Sequence, residues 1–492
     1  MFTIRKEIKN RLNKIIRHFQ KQIKKAATIS LGIAIAMALV ILSVLPFYVS
    51  AGYHDTQRLV STLIVASGLC GSIWFARVSR HTMWFIGGAY GWGMVSVCMS
   101  PLPLWSMLEF GLLFSVVLIA VTFLSKLQNL QLKYLAILIA TIHAYYIVHN
   151  VMEYAFTLLL GGTFEPYAMS NGFSNVRFYG QFLVWTVPFL VGVMVTNPKM
   201  HYRFVLAGLL MFDWAFEFLT LTRAFIVAMT FTPLMVWWVA KEYWLLYAKC
   251  LFFTASVGFV IYVFMLFVIP SLLGVDVSYG INFSIGRDML SSSGRVHLWK
   301  DAWYVILNHP LLGAGPMMTA LTSVSNISAH PHNFILQLLA EWGIPFTLIL
   351  FGGTIFGLVR FKNLIAHAST DSLLLALPIM ASLSAGAIAG LFDGLLVMPV
   401  SLVYMTLFIV CCVGLWRTLT PEVQRVIFPR WAVPVLLFPS IFVAVFSVIN
   451  WPHWSATNAT EIPKPMSGNG YKLSPDRNPR FWLTGQIEIV KK

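Results

Sequence analysis

The segment CLFFTASVGFVIYVFMLFVIPSL, residues 250–272, decides the fold class. It carries no charged residue, and it is longer than the roughly 20 apolar residues that a helix needs to cross a bilayer. Similar runs recur along a chain that is 58% hydrophobic and 11% charged, with a mean hydropathy of +0.77. Soluble domains carry roughly 25% charged residues. We therefore predict an all-α polytopic membrane protein and exclude soluble enzymes and nucleic-acid binders, despite the net charge of +16.

Thirteen apolar segments are predicted to span the membrane as helices. They cover residues 28–50, 59–76, 82–100, 106–125, 134–152, 178–196, 204–222, 224–240, 250–272, 343–359, 373–391, 395–415 and 431–449. Basic residues collect on the cytoplasmic side of a membrane, and the N-terminal stretch is rich in Lys and Arg with Glu7 as its one acid. The N-terminus is therefore predicted to be cytoplasmic, and thirteen crossings place the C-terminus on the external side.

This topology divides the chain into five regions. They are a basic cytoplasmic segment (1–27), a first set of about nine spans (28–272) with an external loop near 153–177, a large external loop (273–342), the C-terminal spans (343–450) and an external tail (451–492). The basic segment is interpreted either as a helix on the anionic inner leaflet or as a disordered tail.

The external loop 273–342 is too long for a simple connection and has helical patterns of its own. We expect one helix from Arg295 to Leu307, ended by His309-Pro310 because proline cannot continue a helix. A second helix is expected to start near Asn333 and to run toward Gly343.

Most of the 34 Lys and Arg residues lie on the predicted cytoplasmic side. Outside the C-terminal tail, six are predicted to face outward: Arg58, Arg177, Arg223, Arg287, Arg295 and Lys300. Guanidinium groups match phosphate oxygens, and a phosphate that stays at the membrane surface belongs to a lipid. For Arg223, an internal ion pair with Asp213 or Glu217 is the alternative to such an anion site.

A histidine in the same loop could act as a base near neutral pH. The pattern therefore indicates group transfer from a lipid diphosphate, with arginines stabilising the leaving group. No metal or other cofactor is predicted, since the external acids show no paired spacing. His330 and His332, separated by a proline, cannot alone supply the three or four ligands of a metal site.

Several stretches of the chain resemble the Wzy_C region shared by bacterial O-antigen ligases, O-antigen polymerases and protein O-oligosaccharyltransferases. They are Ser293-Gly294-Arg295 through Trp299, His309-Pro310-Leu311-Leu312-Gly313-Ala314-Gly315, His332-Asn333 followed by Gly343, Thr222-Arg223 and Asn175-Val176-Arg177-Phe178. The resemblance covers roughly residues 170–415. Its ligases carry a His and a Gly separated by ten residues, the spacing of His332 and Gly343.

The resemblance implies a metal-independent, GT-C-like glycosyltransferase of the bacterial inner membrane, with a large helical periplasmic loop and an active site that faces the periplasm. Its donor would be a glycan on undecaprenyl diphosphate, and its acceptor the lipid A–core or another glycan or protein. By analogy, His332 would activate the acceptor hydroxyl, while Arg223 and Arg295 would bind the diphosphate. Further substrate contacts are expected from Arg177, Arg287, His330 and Asn333.

Three members of this superfamily share the donor, so the diphosphate-binding residues do not separate ligase from polymerase or protein O-oligosaccharyltransferase. The spacing of His332 and Gly343 favours the ligase. Ligases of this family usually have twelve spans, whereas thirteen are predicted here. A transporter of lipid-linked sugar, the alternative of a different class, would carry more ionisable residues through the mid-membrane than are found here.

Overall fold

The computed structural model describes residues 37–48, 53–122, 127–161, 169–197, 199–278, 281, 294–321, 328–420, 425–454, 471–472 and 490–491. The predicted N-terminal segment 1–27, the candidate residue Arg287 and most of the predicted tail 451–492 lie outside the described residues.

Helices account for most of the described chain. In chain order they are α1 (Tyr53–Ser72), α2 (Arg80–Met99), α3 (Pro103–Thr122), α4 (Asn129–Leu159), α5 (Val176–Thr196), α6 (Met200–Thr220), α7 (Arg223–Val239), α8 (Trp244–Val263, continued by a π-helical turn Phe264–Val268 and a last turn Ile269–Leu273), α9 (Arg295–Asn308), α10 (Phe334–Trp342), α11 (Ile344–Ala366), α12 (Thr370–Ala389), α13 (Pro399–Leu419) and α14 (Ala432–Trp454). Residues 37–44 are also helical, and a 3-10 turn (Leu45–Tyr48) follows them.

Every predicted span coincides with helical residues, although the first is described only from residue 37 to residue 48. Among the described residues, eight helices are long and apolar enough to cross a membrane: α3, α4, α5, α8 with its extension, α11, α12, α13 and α14. Helix α7 is apolar but has only 17 residues. The structure therefore confirms an all-α polytopic membrane protein.

Short strands contribute little to the described fold. Strand β1 (Arg77–Ser79) pairs antiparallel with β2 (Arg425–Ile427), with Val78 opposite Val426. Near the end of the chain, β3 (Tyr471–Lys472) pairs antiparallel with β4 (Val490–Lys491).

Helix α5 lies at the centre of the bundle, packed against α6 and along α12. The Trp185 indole of α5 donates a hydrogen bond to Ser401 of α13 (2.8 Å), and the Ser382 hydroxyl of α12 donates to the Trp185 carbonyl (2.7 Å). Gly386 of α12 lies so close that a Cβ there would be 2.1 Å from the Trp185 ring. This tight contact holds the loop between α12 and α13, residues 390–398, beside the start of α5.

The predicted helix pair of the loop 273–342 is confirmed as α9 and α10. His309 follows the last residue of α9, and Gly343 follows α10. The turn between the pair is joined to α10 through the backbone: the Ala314 amide donates to the Ala340 carbonyl at 2.8 Å.

Candidate functional site

His332 lies in a short loop that the surrounding helices hold in an uncommon conformation. Its φ of 52° is in the left-handed region, which residues with a side chain rarely adopt. The Trp299 indole of α9 donates a hydrogen bond to the neighbouring Pro331 carbonyl (3.1 Å), and the Asn333 side chain caps α10. Such strain persists only where the surroundings impose it, and it is common at functional sites.

The imidazole of His332 lies against a carboxylate. Its Nδ1 is 3.3 Å from Oδ1 of Asp393, and its Nε2 is 3.4 Å from the Ser328 hydroxyl. The His332 side chain is 15% exposed, whereas that of Asp393 is 6% exposed. A carboxylate at Nδ1 fixes the ring and leaves Nε2 as the atom that can accept a proton.

The environment keeps Asp393 ionised. Burial raises the pKa of Asp393, but the hydrogen bond and the charge of His332, with smaller contributions from Gln181 and the Gly394 amide, outweigh it and lower the pKa. The Gly394 amide donates to Oδ1 at 2.8 Å. Asp393 was not among the site residues predicted from the sequence. Its position just after the predicted span 373–391 was the one feature that could have indicated it.

His330 is buried beside His332, with 4.1 Å between the ring centroids. Its Nδ1 accepts a hydrogen bond from the His332 backbone amide at 3.3 Å. A Cβ on Gly394 would lie 2.2 Å from the His330 ring, so this glycine lets the loop of Asp393 approach the histidines. The substrate contact expected of His330 stays a prediction.

The fold explains the spacing of His332 and Gly343. Asn333 is the N-cap of α10, since its side-chain oxygen accepts the amides of Ile335 and Leu336 at 3.0 Å each. Gly343 ends the helix with φ of 84°, and a Cβ there would lie 1.9 Å from the Leu311 carbonyl oxygen. The ten residues between are thus one capped helix. The predicted substrate contact of Asn333 remains untested, and its oxygen already serves as a cap.

Three predicted arginines stand at helix N-termini that converge on the dyad of His332 and Asp393. Arg223 and Arg295 are the first residues of α7 and α9, and Arg177 is the second residue of α5. Burial lowers the pKa of Arg295, the Asp393 carboxylate counteracts this, and Arg223 and Arg177 lower the pKa again.

Packing brings the three helix ends together, although they come from distant parts of the sequence. Gly180, one turn after Arg177, lies against Thr222, the residue before Arg223. Trp299, one turn after Arg295, donates a hydrogen bond to the Pro331 carbonyl beside His332. Helix N-termini add unpaired amides and a partial positive charge, which favours an anion. The cluster is suited to a ligand with several negative charges, such as a diphosphate.

The two acids that could have neutralised Arg223 internally have other partners. Asp213 lies 2.7 Å from Nδ1 of His143, in a fully buried pair. Glu217 accepts a hydrogen bond from the Thr222 amide at 2.8 Å. Both interpretations of Arg223, the anion site and the internal ion pair, stay predictions.

Another outward-predicted basic residue has a different environment. Arg58 is 1% exposed, and its guanidinium donates to the Val397 carbonyl. It therefore supports the loop that carries Asp393. Lys300, in contrast, is exposed on α9. Within the described ranges, no three His, Cys, Asp or Glu residues are grouped to hold a metal ion.

Comparison with known proteins gives one match. Residues 206–351, just under a third of the chain, match the Wzy_C family model, described as O-Antigen ligase. The matched segment contains Arg223, Arg295 and His332, whereas Arg177 and Asp393 lie outside it. A search of curated proteins found no match. The match supports the superfamily of O-antigen ligases and polymerases, and with it a glycosyltransferase of the ligase or polymerase type.

Proposed function

We propose that the chain is an O-antigen ligase-like glycosyltransferase. It would transfer a glycan from undecaprenyl diphosphate to a hydroxyl of lipid A–core at the periplasmic face of the bacterial inner membrane. The observation that carries the proposal is the contact of His332 with Asp393, beside which the packing of Gly180 on Thr222 and of Trp299 on Pro331 brings the helix N-termini of Arg177, Arg223 and Arg295.

In the proposed inverting displacement, each residue has one role. Nε2 of His332 accepts the proton of the acceptor hydroxyl, while Asp393 holds the ring through Nδ1. The acceptor oxygen then bonds to the anomeric carbon as the bond from that carbon to the diphosphate oxygen breaks. The diphosphate departs with the electron pair, and the arginines stabilise its charge. A positioned general base typically contributes about 10²–10⁴-fold to the rate.

The matched family and the spacing of His332 and Gly343 favour a ligase, but all enzymes with this donor would use the same arginines. We therefore expect the acceptor to distinguish them. Purified protein in liposomes would be given a polyprenyl-diphosphate glycan together with lipid A–core, a second carrier-linked glycan or a serine-containing protein. Transfer to lipid A–core would support the ligase. Transfer to the second carrier-linked glycan or to the protein would instead indicate a polymerase or a protein O-oligosaccharyltransferase.

His332→Ala should reduce transfer by about 10²–10⁴-fold because it removes the base, while donor binding is retained. His367→Ala, at the far end of α11, is the matched control and should keep normal activity. Full activity of His332→Ala would mean that another group is the base. Lipid flipping by both variants with no glycan transfer by wild type would instead indicate a transporter.

A further inference from the structure

The corner between α6 and α7 is unusually tight. Helix α6 ends at Thr220 and α7 begins at Arg223, so only Leu221 and Thr222 reverse the chain. Leu221 is left-handed, with φ of 51° and ψ of 57°. This conformation is unfavourable for a residue with a side chain. The corner therefore needs specific contacts to hold it.

Glu217 supplies those contacts for both residues of the corner. Its backbone carbonyl accepts the Leu221 amide at 2.7 Å, and its side-chain Oε1 accepts the Thr222 amide at 2.8 Å. Thr222 is the N-cap of α7 but makes no side-chain capping bond of its own. The Glu217 side chain is fully buried. One acidic residue of α6 thus fixes the backbone immediately before Arg223.

The same corner packs against α5. A Cβ on Gly180 would lie 2.6 Å from the Thr222 side chain, so the α5 backbone lies directly against that side chain. Gly180 lies one turn after Arg177 in α5. The corner therefore sets the position of Arg223 relative to Arg177 as well as to its own helix.

We propose that Glu217 is a positioning residue that holds Arg223 in place to bind the diphosphate of the lipid-linked donor. It acts through the backbone of Leu221 and Thr222 and does not touch the substrate. This inference rests on the proposed function, since it presupposes that Arg223 binds a diphosphate.

Two substitutions separate the reach of the Glu217 side chain from its charge. Glu217→Gln keeps an acceptor oxygen at the same distance from the Thr222 amide. Glu217→Asp keeps the carboxylate but withdraws it by one methylene. If the hydrogen bond positions Arg223, the Glu217→Gln variant should bind the lipid-linked donor nearly as tightly as wild type. The Glu217→Asp variant should bind it about tenfold more weakly. Leu221→Gly removes the left-handed strain, so it should restore binding in the Asp variant.

The experiment measures binding of farnesyl diphosphate, a short isoprenyl diphosphate, to the purified full chain, with the melting temperature of each variant as the control for folding. No binding by wild type would contradict the proposed function itself. Binding by wild type, with Arg223→Ala weakened and Glu217→Asp unchanged, would overturn the role of Glu217 alone. Weaker binding by Glu217→Gln than by Glu217→Asp would also overturn the role of Glu217, because the charge of the side chain and not its length would then matter.

Discussion

At the residue scale, the chemistry depends on side chains whose properties come from their neighbours. Asp393 contacts Nδ1 of the His332 imidazole and leaves Nε2, 3.4 Å from the Ser328 hydroxyl, as the atom that can accept a proton. Arg223 and Arg177 repel the charge of Arg295, and an anionic ligand would relieve this repulsion. Residue type and predicted placement indicated the arginines as candidates, and the resemblance to the Wzy_C region indicated His332. The sequence did not indicate Asp393, because nothing in the spacing of an acid 61 residues away shows that it meets His332.

Replacing Arg223 with Lys should lower kcat/KM by about tenfold or more, because an ammonium group cannot form two parallel hydrogen bonds to a phosphate. Steady-state kinetics with a polyprenyl-diphosphate glycan would measure this. Arg360→Lys, an exposed arginine on α11, is the matched control. Normal turnover of Arg223→Lys would mean that positive charge alone is needed at this position.

The lowered pKa of Asp393 gives its contribution to stability a defined pH range. A carboxyl with a depressed folded-state pKa stabilises the fold above its unfolded pKa of about 3.9, and the contribution disappears as the pH falls through the folded value. The difference in melting temperature between wild type and Asp393→Asn should therefore persist from pH 7 to about 5 and shrink only below about 4. A difference that vanishes by pH 6 would contradict this assignment.

At the element scale, short helices and their ends place the site. The helix pair α9 and α10 was predictable because proline, glycine and an N-cap asparagine mark its boundaries. The left-handed conformations of His332 and Leu221 were not predictable, since a local pattern would assign such a backbone to glycine. The His332 loop is held by residues distant in sequence, Trp299 and Asp393, whereas Leu221 is held by Glu217 one turn before it.

Gly343→Ala should destabilise the protein by a few kcal/mol and reduce activity, because φ is 84° and the new Cβ would meet the Leu311 carbonyl. Gly352→Ala is the matched control on α11, where a Cβ meets nothing within 4 Å. That control should be neutral or should stabilise by up to about 1 kcal/mol, since alanine favours a helix. Equal melting temperatures of the two variants would refute the close contact at Gly343.

At the scale of the whole molecule, hydrophobic runs made the helices predictable, but not which helices meet. The packing of α5 against α12 depends on Gly386 accepting the Trp185 ring, a contact of residues far apart in sequence. Helix α12 also packs against α7, so it contacts the two helices whose N-termini carry Arg177 and Arg223. Periodicity and composition carry no information about such pairs. The sequence could therefore indicate candidate site residues but not how those residues are arranged in space.

The predicted orientation of the whole chain can be tested by labelling cysteines with a membrane-impermeant reagent in intact spheroplasts. Lys300→Cys on α9 should be labelled, because the loop 273–342 is predicted to be periplasmic. Lys241→Cys, between α7 and α8, should react only after the membrane is permeabilised. Both lysines are exposed, so access to water is matched. The reverse pattern would invert the topology and place the site in the cytoplasm.

The bond between Arg58 and the Val397 carbonyl joins residues 339 positions apart, and β1 pairs with β2 across a similar separation. A nascent chain inserts its early helices long before the ribosome reaches either partner. Until then Arg58 lacks this acceptor, and the arginines lack Asp393. The candidate site can therefore assemble only after the chain has been synthesised beyond Val397, late in translation.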